Sequence, residues 1–189
     1  GLERIMLYAR FEDTAKPDIR SDFRDLVRER VSGKPLQYLL GYTEFYGREF
    51  KVTPEVLIPR QETELVVDKC LEKMPEDDDA SLEVADIGTG SGAIAVTLAC
   101  ERENVRVYAG DMSPGALKIA EKNAESLGVS ERISFLEGDI FNSFDEELKD
   151  DGFDLIVSNP PYVPTGKLKE LQTEVRDWEP KSALDGGEE

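Results

Sequence analysis

The stretch Asp86-Ile87-Gly88-Thr89-Gly90-Ser91-Gly92 joins a short apolar strand to an apolar helix. This junction is the feature of the sequence that most clearly indicates the fold class. The strand is predicted over Leu82–Ile87 and the helix over Ala93–Cys100. Glycines at such a junction permit a tight turn and let a ligand approach the backbone, while the helix start presents free N–H groups. The loop matches GxGxxG with Ala93 in the last position, which the dinucleotide fingerprint tolerates. The alternative is a tight strand–helix turn that binds nothing.

The residues after this loop alternate between strands and helices. Further strands are predicted at Arg106–Asp111, Ile133–Gly138 and Phe153–Val157. A helix should begin after Ser113, which can act as its N-cap. This alternation predicts an α/β, Rossmann-like fold with a doubly wound, mostly parallel sheet, in which the four strands lie in the order 3-2-1-4. Because ligands bind at the carboxyl ends of the central strands, the glycine loop should face the residues that follow Val157.

The residues before the loop predict two further units. Helical periodicity and the stop signal at Gly33 predict short helices that dock on a neighbour or belong to a larger helical unit. Thr43–Val52 predicts a β-hairpin with Gly47-Arg48 between its strands. We therefore expect an incomplete helical domain at 1–40, a hairpin linker at 41–59 and a catalytic domain at 60–189. No strand is predicted after Tyr162, so the last strands of the sheet are expected to be absent from this chain.

Composition and charge exclude several classes of function. Lys and Arg total 23 against 41 Asp and Glu, which gives a net charge of −18. The electrostatic field of so negative a protein repels polyphosphate, which disfavours a nucleic-acid partner. The chain has no histidine, and Cys70 and Cys100 do not form a CxxC pair, so neither a His-based triad nor a metal site is expected. The absence of a long apolar run and of a leader at Gly1 predicts no membrane contact and a reducing cytoplasm.

Three acidic residues indicate which class of ligand the predicted pocket would favour. Asp111 ends the second predicted strand, where a carboxylate can accept both hydroxyls of a ribose; a turn or capping role is compatible with this one. Asp86 precedes the glycine loop, where it would repel a pyrophosphate and hold a cationic ammonium or sulfonium. Asp139 follows the third strand, where it could meet an adenine amino group. An acidic pocket suits S-adenosylmethionine, which has a sulfonium and no phosphate, better than NAD.

Ser158-Asn159-Pro160-Pro161-Tyr162 follows the fourth strand directly. The two prolines fix φ and remove two N–H donors, which makes this turn rigid. The side-chain carbonyl of Asn159 and the backbone carbonyl of Pro160 can accept both hydrogens of one planar NH2 group, while Tyr162 packs against its face. This grip would orient the nitrogen toward an incoming methyl group. The alternative is a strand-terminating turn with a buried tyrosine.

Taken together, these motifs resemble class I methyltransferases that use S-adenosylmethionine to modify amino groups. Segments upstream narrow the resemblance to the release factor glutamine methyltransferases of the HemK/PrmC type. These segments are Gly33–Tyr38, Glu44–Gly47 and Leu57-Ile58-Pro59-Arg60-Gln61-Glu62-Thr63-Glu64. Gln61 stands where that family usually has proline. The tail, with Trp178-Glu179-Pro180 and Ala183–Gly187, also fits, so the resemblance covers nearly the whole chain.

The resemblance implies an enzyme that methylates the side-chain amide nitrogen (N5) of the glutamine in the Gly-Gly-Gln motif of peptide-chain release factors. S-adenosylmethionine would be the donor, S-adenosylhomocysteine the product, and no metal would be needed. The residues that it assigns to the donor are Asp86, Gly88, Thr89, Gly90, Ser91, Gly92, Asp111, Asp139, Ile140 and Asn159. Those assigned to the substrate glutamine are Asn159, Pro160, Pro161 and Tyr162. Arg60, Glu62 and Glu64 are expected in the pocket wall, or else in a salt-bridged helix start.

Other functions stay open at this point. An adenine-N6 DNA methyltransferase would use the same Asn-Pro-Pro-Tyr turn on a flipped adenine, although the net charge of −18 argues against it. A methyltransferase of another protein glutamine and a non-catalytic nucleotide-binding module are further alternatives. A release factor is the expected partner, no direct nucleic-acid contact is expected, and the protein is expected to be a monomer.

Overall fold

The computed structural model describes residues 4–14, 16–75, 81–144 and 152–188. Its strands, in chain order, are β1 (Tyr42–Phe45), β2 (Arg48–Lys51), β3 (Leu82–Ile87), β4 (Val105–Asp111), β5 (Ile133–Glu137), β6 (Leu155–Ser158), β7 (Val163–Pro164) and β8 (Asp185–Gly187). Its α-helices are α1 (Arg4–Ala9), α2 (Pro17–Val31), α3 (Leu36–Leu40), α4 (Glu64–Lys73), α5 (Ala93–Glu101), α6 (Pro114–Ser126) and α7 (Thr173–Arg176).

A parallel sheet with strand order β5-β4-β3-β6 forms the centre of the molecule. The predicted fold class and strand order are therefore confirmed, and each predicted bound lies within two residues of the observed one. In the register of β3 and β6, Ile87 lies beside Ser158. The carboxyl ends of these two strands therefore open side by side, directly before the glycine loop and the proline turn.

Alternating side chains of the strands bury both faces of the sheet. On one face, Val84 and Val107 belong to a large core that includes α4, α5 and the hairpin. On the other face, Ala85 and Tyr108 pack with Phe144. Parallel strands that are covered on both faces need continuous apolar runs, which is why these short strands stood out in the sequence.

The β1–β2 hairpin packs against α4. Its turn consists of Tyr46 and Gly47, with φ of 51° and 69°, one position earlier than the predicted Gly47-Arg48. Positive φ at both positions gives the turn a twist that matches the flanking strands. Glu64 at the start of α4 accepts a hydrogen bond from the Tyr46 backbone N–H (2.8 Å) and so holds the turn in place.

The first helices carry an apolar stripe that the described residues do not cover. The stripe on α2 consists of Ile19, Phe23, Leu26, Val27 and Val31, all of which are exposed. The sequence predicted that these helices dock on a neighbour. In the described part of the chain, α2 buries none of its residues, whereas α3 is anchored by Tyr38, whose hydroxyl donates to the carbonyl of Val56 (2.6 Å).

The tail differs from the prediction that no strand follows Tyr162. Val163–Pro164 and Asp185–Gly187 form a short parallel pair with an irregular register. A Cβ at Gly186 would lie 3.0 Å from the carbonyl oxygen of Pro161, so this close approach requires glycine. Short strands of Pro and Gly have no apolar alternation, and only contacts over a long sequence separation stabilise them.

Helices long and apolar enough to cross a membrane are absent from the ranges that the structure describes.

Candidate functional site

A cavity of about 370 Å³ opens at the carboxyl ends of the central strands. Six segments of the chain meet there: the glycine loop, the ends of β4 and of β5, the turn after β6, the residues before α4, and the tail. The residues that line the cavity include Glu55, Arg60, Thr63, Gly88, Thr89, Gly90, Ser91, Asp111, Met112, Asp139, Ile140, Ser158, Asn159, Pro160, Pro161 and Asp185. The volume lies in the range of small-molecule and cofactor sites.

Gly88, Thr89, Gly90 and Ser91 form one wall of the cavity. Gly88 and Gly90 have φ of 74° and 57°, and open space surrounds the position of a Cβ on each. A side chain there would fill the space that a ligand needs, so these glycines form a cradle. Gly92 does not line the cavity: a Cβ on it would lie 3.0 Å from the Cβ of Ala120. Gly92 therefore lets the start of α5 pack closely against α6.

Asp111 connects the glycine loop to the turn after β4. Its Oδ2 accepts from the Gly90 N–H (2.8 Å) and its Oδ1 accepts from the Ser113 N–H (2.9 Å). The side chain is half-buried and also lines the cavity. The turn role and the ligand-facing position, which the sequence indicated as compatible, can coexist because each carboxylate oxygen has a second acceptor site.

Asp86 lies beneath the glycine loop and not in the cavity wall. Its side chain is 1% exposed, and its Oδ2 accepts from the Thr89 hydroxyl (2.7 Å) and the Ala95 N–H (3.2 Å). Oδ1 has no hydrogen-bond partner among the described residues. Asp86 lies outside the cavity lining, and the contact with a cationic ligand predicted for it stays a prediction. The residue supports the loop through Thr89 and keeps one buried oxygen for a small polar partner.

Burial raises the pKa of Asp86 from 3.8 to about 6, and hydrogen bonds from Thr89 and Ala95 limit the rise. The folded protein therefore binds a proton more readily than the unfolded chain between these two values, so ionisation of Asp86 destabilises the fold increasingly as the pH rises from about 4 to about 6. We expect Asp86→Asn to be more stable relative to wild type near pH 7 than near pH 4. The stability difference between the two proteins should change by about 2 kcal/mol across this window.

Urea unfolding of both proteins between pH 4 and pH 7.5 checks this expectation. Burial also raises the pKa of Glu179, but that contribution is common to both proteins and cancels in their difference. A stability difference that stays constant across the window would contradict the assigned role of Asp86.

The part of the cavity lining at the ends of β4 and β5 combines acidic and apolar side chains. Asp139 is exposed and Ile140 is 58% exposed, and both line the cavity with Met112. Ile140 has φ of 49°, a conformation that β-branched residues rarely adopt. Such strain concentrates at ligand-binding sites. Glu55 also lines the cavity, although no motif in the sequence marks it.

The turn after β6 forms another part of the cavity lining. Ser158 donates from its hydroxyl to the Ile87 carbonyl (2.7 Å), which ties the end of β6 to β3. The Asn159 side-chain N–H donates to the Thr63 hydroxyl (3.3 Å). Asn159, Pro160 and Pro161 line the cavity together with the glycine loop, as the sequence predicted from the strand order. Tyr162 does not line it and is 79% exposed.

Of the three residues predicted in the pocket wall, only Arg60 lines the cavity. Its guanidinium donates to Glu179 (2.7 Å), whose side chain is buried. Glu62 is exposed and Glu64 holds the hairpin turn, so the pocket-wall prediction for these two does not agree with their positions. Glu179 was missed as an individual residue; its only signal is its place between Trp178 and Pro180.

The charge of the lining residues favours a cationic ligand. Glu55, Asp111, Asp139 and Asp185 are acids, and Arg60 is the basic residue that lines the cavity within the described ranges. Arg60 is already paired with the buried Glu179. Among the described residues no cluster of acids and cysteines could hold a metal ion. The cavity thus combines an acidic lining with one turn that carries the amide side chain of Asn159.

Comparison with known proteins agrees with this geometry. A family model described as methyltransferase domain matches residues 78–178, and one described as PrmC N-terminal domain matches residues 1–41. The release factor glutamine methyltransferase of Geobacter sulfurreducens is 47% identical over 187 residues, which are 99% of this chain and 62% of that protein. The protein of the same name from Moorella thermoacetica is also 47% identical, with 99% and 64% covered.

The chain spans less than two thirds of the length of these curated relatives. Among solved structures, the S-adenosylmethionine-dependent methyltransferase from Agrobacterium tumefaciens is 20% identical and matches with a TM-score of 0.50. The match covers 64% of this chain and 39% of that one. This likeness concerns the fold, which is that of the class I methyltransferases.

Proposed function

The chain belongs to the methyltransferase domain family, and we propose that it transfers a methyl group from S-adenosylmethionine to the side-chain amide nitrogen of a glutamine in peptide-chain release factors. The names of the relatives that are 47% identical to it support this substrate. The glutamine is that of the Gly-Gly-Gln motif. The observation that carries the proposal is that Asn159 and the glycine loop line one cavity.

The residues of the cavity fit the donor. S-adenosylmethionine, when bound, supplies a methyl group on a positively charged sulfur. The acids that line the cavity favour such a cation, and the open cradle at Gly88 and Gly90 leaves room beside the backbone. The unpartnered Oδ1 of Asp86 suits a water molecule or an ammonium group below the loop. Asp111 would accept from the ribose, and Asp139 and Ile140 would flank the adenine.

The turn after β6 then positions the acceptor amide. The carbonyl oxygens of Asn159 and Pro160 accept the two N–H hydrogens of the substrate carboxamide, and this holds the nitrogen toward the donor. These acceptors also favour the more pyramidal nitrogen of the transition state. Tyr162 is exposed at the rim, where a docked protein would cover it. No histidine exists in the chain, so water takes the amide proton after transfer.

Two alternatives make different predictions about the substrate. An adenine-N6 DNA methyltransferase must attract a polyphosphate, which the net charge of −18 opposes. A methyltransferase of another protein glutamine would use the same grip on a different partner. We further propose that the protein acts as a monomer in the reducing cytoplasm, since one chain carries both walls of the cavity and both cysteines are free thiols.

The test is methyl transfer from radiolabelled S-adenosylmethionine to three acceptors. These are a bacterial release factor, the same factor with its Gly-Gly-Gln glutamine replaced by alanine, and an adenine-containing DNA duplex. We expect label in the first acceptor alone. Label in the duplex would favour the DNA alternative, and label in the alanine variant of the factor would exclude the proposed glutamine.

A further inference from the structure

Thr63 occupies the N-cap position of α4 but does not cap that helix. Threonine at this position normally accepts a hydrogen bond from a backbone N–H in the first turn of the helix. Here its hydroxyl forms no such bond, and its backbone N–H donates to the Arg60 carbonyl (3.0 Å) within the preceding turn. The hydroxyl is thus available for another partner.

That partner is the side chain of Asn159, 96 positions later in the chain. The Nδ2 group of Asn159 donates to Oγ1 of Thr63 over 3.3 Å, and both residues line the cavity. A carboxamide presents either its N–H edge or its carbonyl edge to a neighbour, and rotation by 180° exchanges them. With the N–H edge directed to Thr63, the carbonyl oxygen is the edge left for a ligand.

The neighbouring residue fixes the backbone of the same turn. The Ser158 hydroxyl donates to the Ile87 carbonyl (2.7 Å) at the end of β3. The backbone before Asn159 is therefore anchored to the sheet, and the orientation of the side-chain amide is the freedom that remains. The contact with the Thr63 hydroxyl restricts that freedom.

We propose that Thr63 is a positioning residue, which holds the Asn159 carboxamide with its carbonyl oxygen toward the acceptor amide. This inference rests on the proposed function, in which Asn159 accepts from the substrate nitrogen. Loss of the Thr63 hydroxyl lets the Asn159 amide rotate, so that its N–H edge meets the N–H group of the substrate. Most of the proposed donor contacts come from the glycine loop and Asp111, so we expect donor affinity to change little even though the resemblance also assigns Asn159 to the donor.

Kinetics of Thr63→Val and Thr63→Ser test the proposal with a release factor as acceptor. Valine has the shape of threonine without the hydroxyl, and we expect kcat to fall about 10-fold. S-adenosylhomocysteine affinity should stay within about twofold of wild type, and the melting temperature within about 3 °C, because no helix cap is lost. Serine keeps the hydroxyl and should restore kcat to within about twofold of wild type.

Two further variants separate positioning from general disruption. Thr43→Val makes the same chemical change on β1, outside the cavity lining, and should leave kcat unchanged. In an Asn159→Ala background, Thr63→Val should cause no further loss, because the group that it positions is gone. An equal loss in both backgrounds, or no loss in Thr63→Val alone, would overturn the proposal.

A spectroscopic measurement tests the contact whatever the substrate is. The side-chain NH2 signals of Asn159 in ¹⁵N-labelled protein are assigned by their disappearance in Asn159→Ala. We expect Thr63→Val to shift them and Thr63→Ser to leave them near their wild-type positions. Unshifted signals in Thr63→Val would refute the contact. A wild-type protein that leaves the release factor unlabelled would refute the proposed function instead, so the two failures are distinguishable.

Discussion

Replacing Asn159 by alanine should lower kcat for methyl transfer to a release factor by about 100- to 1000-fold, since a positioned acceptor of this kind acts mainly in the transition state. The substrate nitrogen then loses one of the two carbonyl oxygens that orient it. The donor is held mainly by the glycine loop and Asp111, which the substitution does not touch. The dissociation constant for S-adenosylhomocysteine should therefore change less than about threefold.

Asn159→Asp is the matched variant, because it keeps a carbonyl-type acceptor in nearly the same place. In this variant the Thr63 hydroxyl has to turn and donate to the new carboxylate, whereas it accepts from the native amide. We expect this variant to retain more activity than Asn159→Ala. Single-turnover transfer and calorimetric binding of S-adenosylhomocysteine give the two quantities. Near-wild-type transfer by the alanine variant would contradict the proposal that Asn159 holds the substrate amide.

Much of the fold could be predicted because parallel strands and their loops leave local signals. Continuous apolar runs and the glycine loop located β3, and the crossover rule then set the order of the four central strands. That order alone placed the turn at Asn159 opposite Gly88 and Gly90, since neighbouring strands end at one edge. The cavity was therefore predictable from topology before any side-chain contact was known.

The individual roles around the loop were less predictable, because a motif does not state which way each side chain points. Asp86 and Gly92 belong to the same motif as Gly88, yet Asp86 lies beneath the loop and Gly92 packs against Ala120. Strand alternation directs Asp86 away from the surface that Ile87 and the loop present. The positive φ of Gly92 and the packing of α5 against α6 together show why this position lacks a side chain.

Contacts between distant segments account for the remaining differences. Arg60, Glu62 and Glu64 were predicted to share the pocket wall because they lie within one short segment of the sequence. The backbone instead directs Arg60 to Glu179 and Glu64 to the hairpin turn at Tyr46. Neither partner is near in sequence, and the Trp178-Glu179-Pro180 segment does not show that its acid pairs with Arg60. The pair of β7 and β8 was missed for the same reason, because it depends on an approach of distant backbones rather than on side-chain periodicity.

Replacing Asp111 by asparagine should raise the dissociation constant for S-adenosylhomocysteine by about 100-fold, even though the two side chains have the same shape. Both carboxylate oxygens accept from backbone N–H groups, those of Gly90 and Ser113. An amide has one oxygen, so its NH2 group must face one of these donors. Hydrogen bonds to charged groups contribute about 1.5–3 kcal/mol each, and loss of one, together with the proposed ribose contact, corresponds to about two orders of magnitude.

Asp139→Asn is the control, because it removes the same charge from the same cavity. Asp139 is exposed, so its charge is screened by solvent and should matter little. We expect the dissociation constant of this variant to rise less than about fivefold. Isothermal titration of both variants with S-adenosylhomocysteine gives the comparison. Similar losses in the two would mean that the donor responds to net negative charge, whereas a large loss confined to Asp111→Asn would show that it depends on the carboxylate that joins the glycine loop to the turn after β4.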